Sequence, residues 1–192
     1  DDLSHNTIQI EGALVNNLEL GSVSNVFTDN YFYQRTLVAN DNIGIDVLGD
    51  VTNNIFDIEG SYSSYLVQSN GVVANNEFFL EEGTALLANN SAVFNNIFVS
   101  NTTGEVLFGT DSIIANNTIY GSGTLLNVEG NSNRVVNNIL QSTDNGTCMR
   151  YDGVDLEYFT NNLFWGCSAF VYDVPAGAAR TNINATNFMI AS

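Results

Sequence analysis

Apolar and polar positions alternate in short bursts along this chain, and the bursts recur. An Asn pair with a large apolar residue two places after its second member reads Asn53-Asn54-Ile55-Phe56, Asn75-Asn76-Glu77-Phe78, Asn95-Asn96-Ile97-Phe98, Asn116-Asn117-Thr118-Ile119, Asn137-Asn138-Ile139-Leu140 and Asn161-Asn162-Leu163-Phe164. Looser copies precede these at His5-Asn6-Thr7-Ile8 and Asp29-Asn30-Tyr31-Phe32. The second members are Asn6, Asn30, Asn54, Asn76, Asn96, Asn117, Asn138 and Asn162, so the steps are 24, 24, 22, 20, 21, 21 and 24 residues. A near-constant period across almost the whole chain means stacked repeats, each burying its apolar side on its neighbours.

Each repeat divides further. Three places before the ladder Asn stand Phe27, Val51, Val73, Val93, Ile114, Val135 and Phe159, all β-branched or aromatic. Two places after it stand Ile8, Phe32, Phe56, Phe78, Phe98, Ile119, Leu140 and Phe164. A later apolar burst supplies a third column: Leu14, Val38, Leu66, Leu86, Leu107, Leu126, Met149 and Phe170. The bursts are short, rich in Val, Ile and Phe, and bounded by Gly and Asn, which predicts strands. No stretch sustains a helical period. Three short strands per repeat, stacked about 4.8 Å apart, predict an all-β parallel β-helix of about eight to nine coils and roughly 40 Å length. It fills residues 1–192 as a single domain. The Asn suits a corner between strands, because it tolerates positive φ. Stacked Asn side chains also hydrogen-bond along their column.

The Asn column, with its apolar residue two places on, resembles the repeats of right-handed parallel β-helices over about residues 5–190. Such repeats occur in pectate-lyase-like proteins, in copper-related periplasmic solenoid proteins and in many surface proteins. The resemblance implies a fold and leaves function open.

Strand parity predicts the outer surface. If the residue two after the Asn points inward, its neighbours point outward. The outward positions include Tyr31, Tyr33, Ile55, Phe79, Ile97, Val99, Tyr120, Leu163 and Trp165. The same logic on the later strand sends Ala85, Leu87, Val106, Phe108 and Leu125 outward. Two apolar stripes of this length exceed what soluble monomers normally expose, which predicts lateral burial against other subunits. Two other readings stand: an inverted assignment of the later strand, and saccharide stacking on Tyr31, Tyr33, Tyr120 and Trp165.

Composition narrows the partners. The 192 residues carry four Arg, no Lys and 21 acids, for a net charge of −17. Nucleic acid and anionic surfaces are repelled by such a chain. No apolar run is long enough to cross a membrane as a helix, so membrane insertion is not expected. A start at Asp1 without a leader-like run reads as a mature secreted product or a piece of a longer chain. Sequons at Asn89, Asn101, Asn145 and Asn184 are glycosylation candidates; a fifth, at Asn116, lies inside the repeat and is expected to be shielded.

Candidate chemistry is sparse. Glu129, Asp152 and Asp173 end three successive later strands. If stacked, they would repel, take up a cation such as Ca²⁺, or form a carboxylate pair of the glycosidase kind. The plainer reading is three solvated turn acids. His5 stands in for the first Asn of its pair, a structural position. Scattered Arg and absent Lys supply lyase chemistry poorly, and no catalytic residue or cofactor site is assigned. Cys148 and Cys167 sit one coil apart but two residues out of step, for a Cα separation of about 8 Å. A disulfide within the chain, a link between subunits and free thiols all remain open.

The expected function is a structural, extracellular or cell-surface solenoid. It would self-assemble into a sheath, filament or surface layer through stacked coils and apolar outer faces. In overall character it loosely resembles archaeal sheath and surface-layer solenoids. The alternatives are a carbohydrate-binding or carbohydrate-cleaving β-helix that meets cell-surface glycans, and an adhesin fragment.

Overall fold

The computed structural model describes residues 2–11, 18–23, 26–35, 43–59, 65–152, 156–173, 178–179 and 188–191. Its strands fall into three sheets of eight, nine and nine strands, with strands from successive repeats adjacent in each. The chain visits the three sheets in turn, as in Val72–Ala74, Glu77–Leu80 and Thr84–Asn89. Equivalent strands pair in parallel, such as Val73 with Val93 and Phe78 with Phe98. The fold is a parallel β-solenoid, and no helix occurs among the described residues.

The two members of each Asn pair do different work. The first turns the corner between the first and second sheets. His5, Asp29, Asn53, Asn75, Asn95, Asn116, Asn137 and Asn161 all hold φ between 54° and 58°. Asn and Asp pay little for this left-handed conformation. The second member faces inward and builds the ladder. Asn76 Oδ1 accepts both the backbone N–H and the Nδ2 of Asn54, each at 2.9 Å. Asn96 Oδ1 does the same for Asn76, also at 2.9 Å. The pattern runs from Asn6 to Asn162. Each Nδ2 from Asn54 onward also donates to a carbonyl of the preceding coil, as Asn96 does to Val73 O at 2.9 Å. The corner thus buries its polar groups with partners. A shorter ladder lines another corner, where Ser91 N–H donates to Ser112 Oγ and Ser112 N–H to Asn133 Oδ1, both at 3.0 Å.

The first two apolar columns form the core as expected, with Val51, Val73 and Val93 fully buried beside Phe56, Phe78 and Phe98. The Phe56, Phe78 and Phe98 rings stack at 4.7 Å centroid spacing. That is the coil spacing itself.

The third column differs from the expectation. In the third sheet Ile45, Val67, Leu86, Leu107, Leu126, Met149 and Val171 align. Leu66 and Phe170 are therefore one position out of that column, while Leu14 and Val38 lie outside the described residues. In the two earliest coils the third-sheet strands are Leu18–Val23 and Ile43–Val47, later than the bursts around Leu14 and Val38. Ala85, Val106 and Leu125 were expected outside and are fully buried, as is Cys148 at the equivalent position of a later coil. Two successive side chains, such as Ala85 and Leu86, are therefore both buried, and strict alternation along a pleated strand does not hold at these positions.

Candidate interaction face

The second sheet presents its outer surface as two columns, each one residue per coil. Tyr31, Ile55, Glu77, Ile97, Thr118, Ile139 and Leu163 are successive register partners in the first. Tyr33, Asp57, Phe79, Val99, Tyr120, Gln141 and Trp165 form the second. The strands alternate as short pleated strands must: Ile97 is exposed, Phe98 buried, Val99 half-buried and Ser100 buried. Exposure reaches 42% at Ile97, 45% at Ile139 and 48% at Trp165. Of the nine exposed large hydrophobic residues among those described, Tyr31, Ile55, Ile97, Tyr120, Ile139 and Trp165 lie here; Leu48, Tyr65 and Ile113 are scattered elsewhere.

The face is also poor in charge. In a chain of 21 acids, its two columns contain only Asp57 and Glu77 between coils two and eight. Tyr31 Oη donates to Asp57 Oδ2 at 3.4 Å. Desolvation, and then the Asp57 charge, push the Tyr31 hydroxyl above the usual tyrosine range. Tyr31 and Tyr33 stack at 6.4 Å. At one edge, Arg35 Nε meets Glu59 Oε2 at 2.6 Å.

The second apolar stripe does not form. Among the described residues the corresponding column of the third sheet runs Asp46, Gln68, Leu87, Phe108, Asn127, Arg150 and Tyr172, with aliphatic or Phe side chains only at Leu87 and Phe108. Leu87 and Phe108 help line an open groove with Tyr65, Glu82, Thr84 and Glu105. Glu105 Oε1 accepts from Asn127 Nδ2 at 2.8 Å and lies 3.6 Å from Arg150 Nη1. Burial raises the Glu105 pKa, and the Arg150 charge and Asn127 hydrogen bond only partly offset it. Sequence reasoning missed Glu105, because its nearest partners are 22 and 45 residues away, each one coil step further along.

The proposed acid column is only partly assembled. Glu129 pairs in register with Asp152, but Asp173 pairs with Tyr151, one place out. No group of three metal-capable side chains converges among the described residues. His5 takes the corner conformation of the first Asn, with Nε2 at 3.5 Å from Asp29 Oδ2.

Cys148 and Cys167 form a disulfide within the chain, with Cα atoms 5.5 Å apart. The expected separation of about 8 Å assumed straight strands. Cys167 instead lies outside any strand, in the turn before Ala169–Asp173 that opens at Gly166 with φ 69°, and it packs half-buried against the core in which Cys148 is buried. Such a bond belongs to a non-cytosolic, oxidising compartment. No described helix is long and apolar enough to cross a membrane.

Of the sequons, Asn101 and Asn145 are exposed, Asn89 is half-buried and Asn184 lies outside the described residues. Asn116, expected to be shielded, is exposed, because the first Asn of a pair points out of the coil. Comparison with known protein families, characterised proteins and solved structures gives no match.

Proposed function

We propose that this chain is an extracellular structural subunit that self-assembles laterally through the outer surface of its second sheet, building a sheath, filament or surface layer. The observation that carries this reading is the concentration of exposed hydrophobic side chains on one charge-poor face. A net charge of −17 makes copies of this chain repel one another in general, and this face carries few of those charges. The disulfide suits an exposed location, and a rigid stack of coils suits load-bearing use. Lateral contact is favoured over continuation of all three sheets end to end. Ala178–Ala179 pairs antiparallel with Tyr172 and Asp173, which interrupts the parallel ladder there.

Sedimentation velocity over a concentration series tests the proposal. The expected result is concentration-dependent association that Ile97→Glu abolishes while far-UV circular dichroism is unchanged. A single monomeric species at millimolar concentration overturns it.

One observation favours a second reading, saccharide binding. The third-sheet groove sets Tyr65, Leu87 and Phe108 beside a half-buried carboxylate at Glu105. Titration with neutral oligosaccharides, followed by tyrosine fluorescence and by loss of response in Glu105→Gln, separates it from the first.

A further inference from the structure

The two outward columns of the second sheet contain an internal symmetry, and it bears on how two copies meet. This inference rests on the self-assembly reading above. The second sheet has nine strands, and Ile97–Ser100 is the fifth. Strands at equal distances on either side of it carry matched outward residues. Ile55 and Ile139 are two coils away in opposite directions, in the same column. Phe79 and Tyr120 are one coil away. Tyr33 and Trp165 are three coils away. The two acids match neutral polar residues: Asp57 with Gln141, and Glu77 with Thr118.

We infer that this face binds a second copy of the same chain with coil order reversed, about a two-fold axis that runs along the strands through Ile97–Ser100. Two copies meeting through one face are related by a two-fold axis lying in the interface. An axis along the solenoid would place each coil against its own counterpart and exchange the columns. Asp57 would then oppose Ile55, and Glu77 would oppose Phe79, burying two carboxylates against hydrocarbon in each copy. An axis along the central strand keeps the columns and reverses the coils. Ile55 then meets Ile139 of the second copy, Phe79 meets Tyr120, and Asp57 and Glu77 meet side chains that donate hydrogen bonds. Face-to-face sheets pack about 10 Å apart, with inner side chains interdigitating. A face about 40 Å long and about 15 Å wide gives roughly 600 Å² per copy, or about 1,200 Å² in all, the lower end of specific interfaces. The pair is closed, so growth into a layer or filament requires a second contact elsewhere.

Cysteine cross-linking tests the register, since both native cysteines are already bonded to each other. Ile55→Cys and Ile139→Cys are made separately, one with a size tag, mixed and oxidised. Both sites are on the surface, at 39% and 45% exposure, so the variants retain the core. The expected result is that mixed dimers dominate over like dimers, and that Val99→Cys cross-links to itself. Preferential linking of Ile55→Cys to itself overturns the reversed order. A charge variant gives an independent sign. Gln141→Lys places a cation opposite Asp57 in the reversed pair and tightens association about two- to fivefold. With coils in the same order it would face Ile139 and weaken association instead. Wild-type association with neither the mixed link nor the tightening overturns the pairing but leaves lateral assembly standing. A wild-type protein that stays monomeric overturns both.

Discussion

Asn95 and Asn96 are adjacent and identical in type, yet they lose stability for different reasons when changed. Asn96→Ala removes the acceptor for the Asn76 N–H and Nδ2 and the donor to Val73 O and Phe94 O. With buried groups left unpaired, the expected loss is about 3–5 kcal/mol in urea unfolding. Asn95→Ala keeps φ 57° but removes the short polar side chain that makes the left-handed conformation tolerable, for about 1–2 kcal/mol. Asn95→Gly relieves that strain and stays within about 0.5 kcal/mol, since Gly takes positive φ freely. Equal losses for Asn95→Gly and Asn96→Ala would contradict the division. The repeat of Asn residues marked this corner from the sequence, because two special requirements recur there in every coil. The ladder falls on the second Asn, as the spacing placed it, but the positive φ expected at the same residue falls on the first, since the residue type satisfies both requirements.

The three sheets were unequally readable. First- and second-sheet strands are two to five residues long, and burial alternates along the second-sheet ones, as in Ile55–Glu59, so parity from the Asn carries through them. The outward positions Ile55, Ile97, Tyr120 and Trp165 followed from that count and are exposed. In the third sheet the successive residues Ala85 and Leu86 are both buried, and simple alternation has no way to register it. In the two earliest coils the described third-sheet strands begin at Leu18 and Ile43, beyond the apolar bursts at Leu14 and Val38, which lie outside the described residues. The turn before Ala169–Asp173 has an energetic consequence, because it holds Cys167 against Cys148 across a separation of 19 residues. Reduction is expected to lower stability by about 3 kcal/mol, from the freed loop entropy of the unfolded chain. Because each coil touches only its neighbours, the loss should concentrate near the bond. Hydrogen exchange should accelerate around Met149 and Val171 under reductant and change little at Val93. Uniform acceleration along the stack would argue against nearest-neighbour coupling.

At the scale of the molecule, one apolar face works against a net charge of −17. Raising ionic strength from about 0.01 M to about 0.1 M shortens the screening length from about 30 Å to about 10 Å. Association through the second sheet should therefore strengthen with salt, seen as a rising weight-average sedimentation coefficient. Weakening with salt would mean that ion pairs hold the assembly. The ladder adds a property that neither charge nor apolar area describes. From Asn30 to Asn162, every side-chain oxygen accepts from the preceding coil, so the amide groups all point the same way along the axis. Their dipoles add and polarise one another, as peptide dipoles do in a helix. The rod thus has an electrical direction, negative toward its first coil. Two rods side by side in the same sense oppose each other's fields, and two in opposite senses cancel them. The buried corner that holds each coil together therefore also favours antiparallel neighbours.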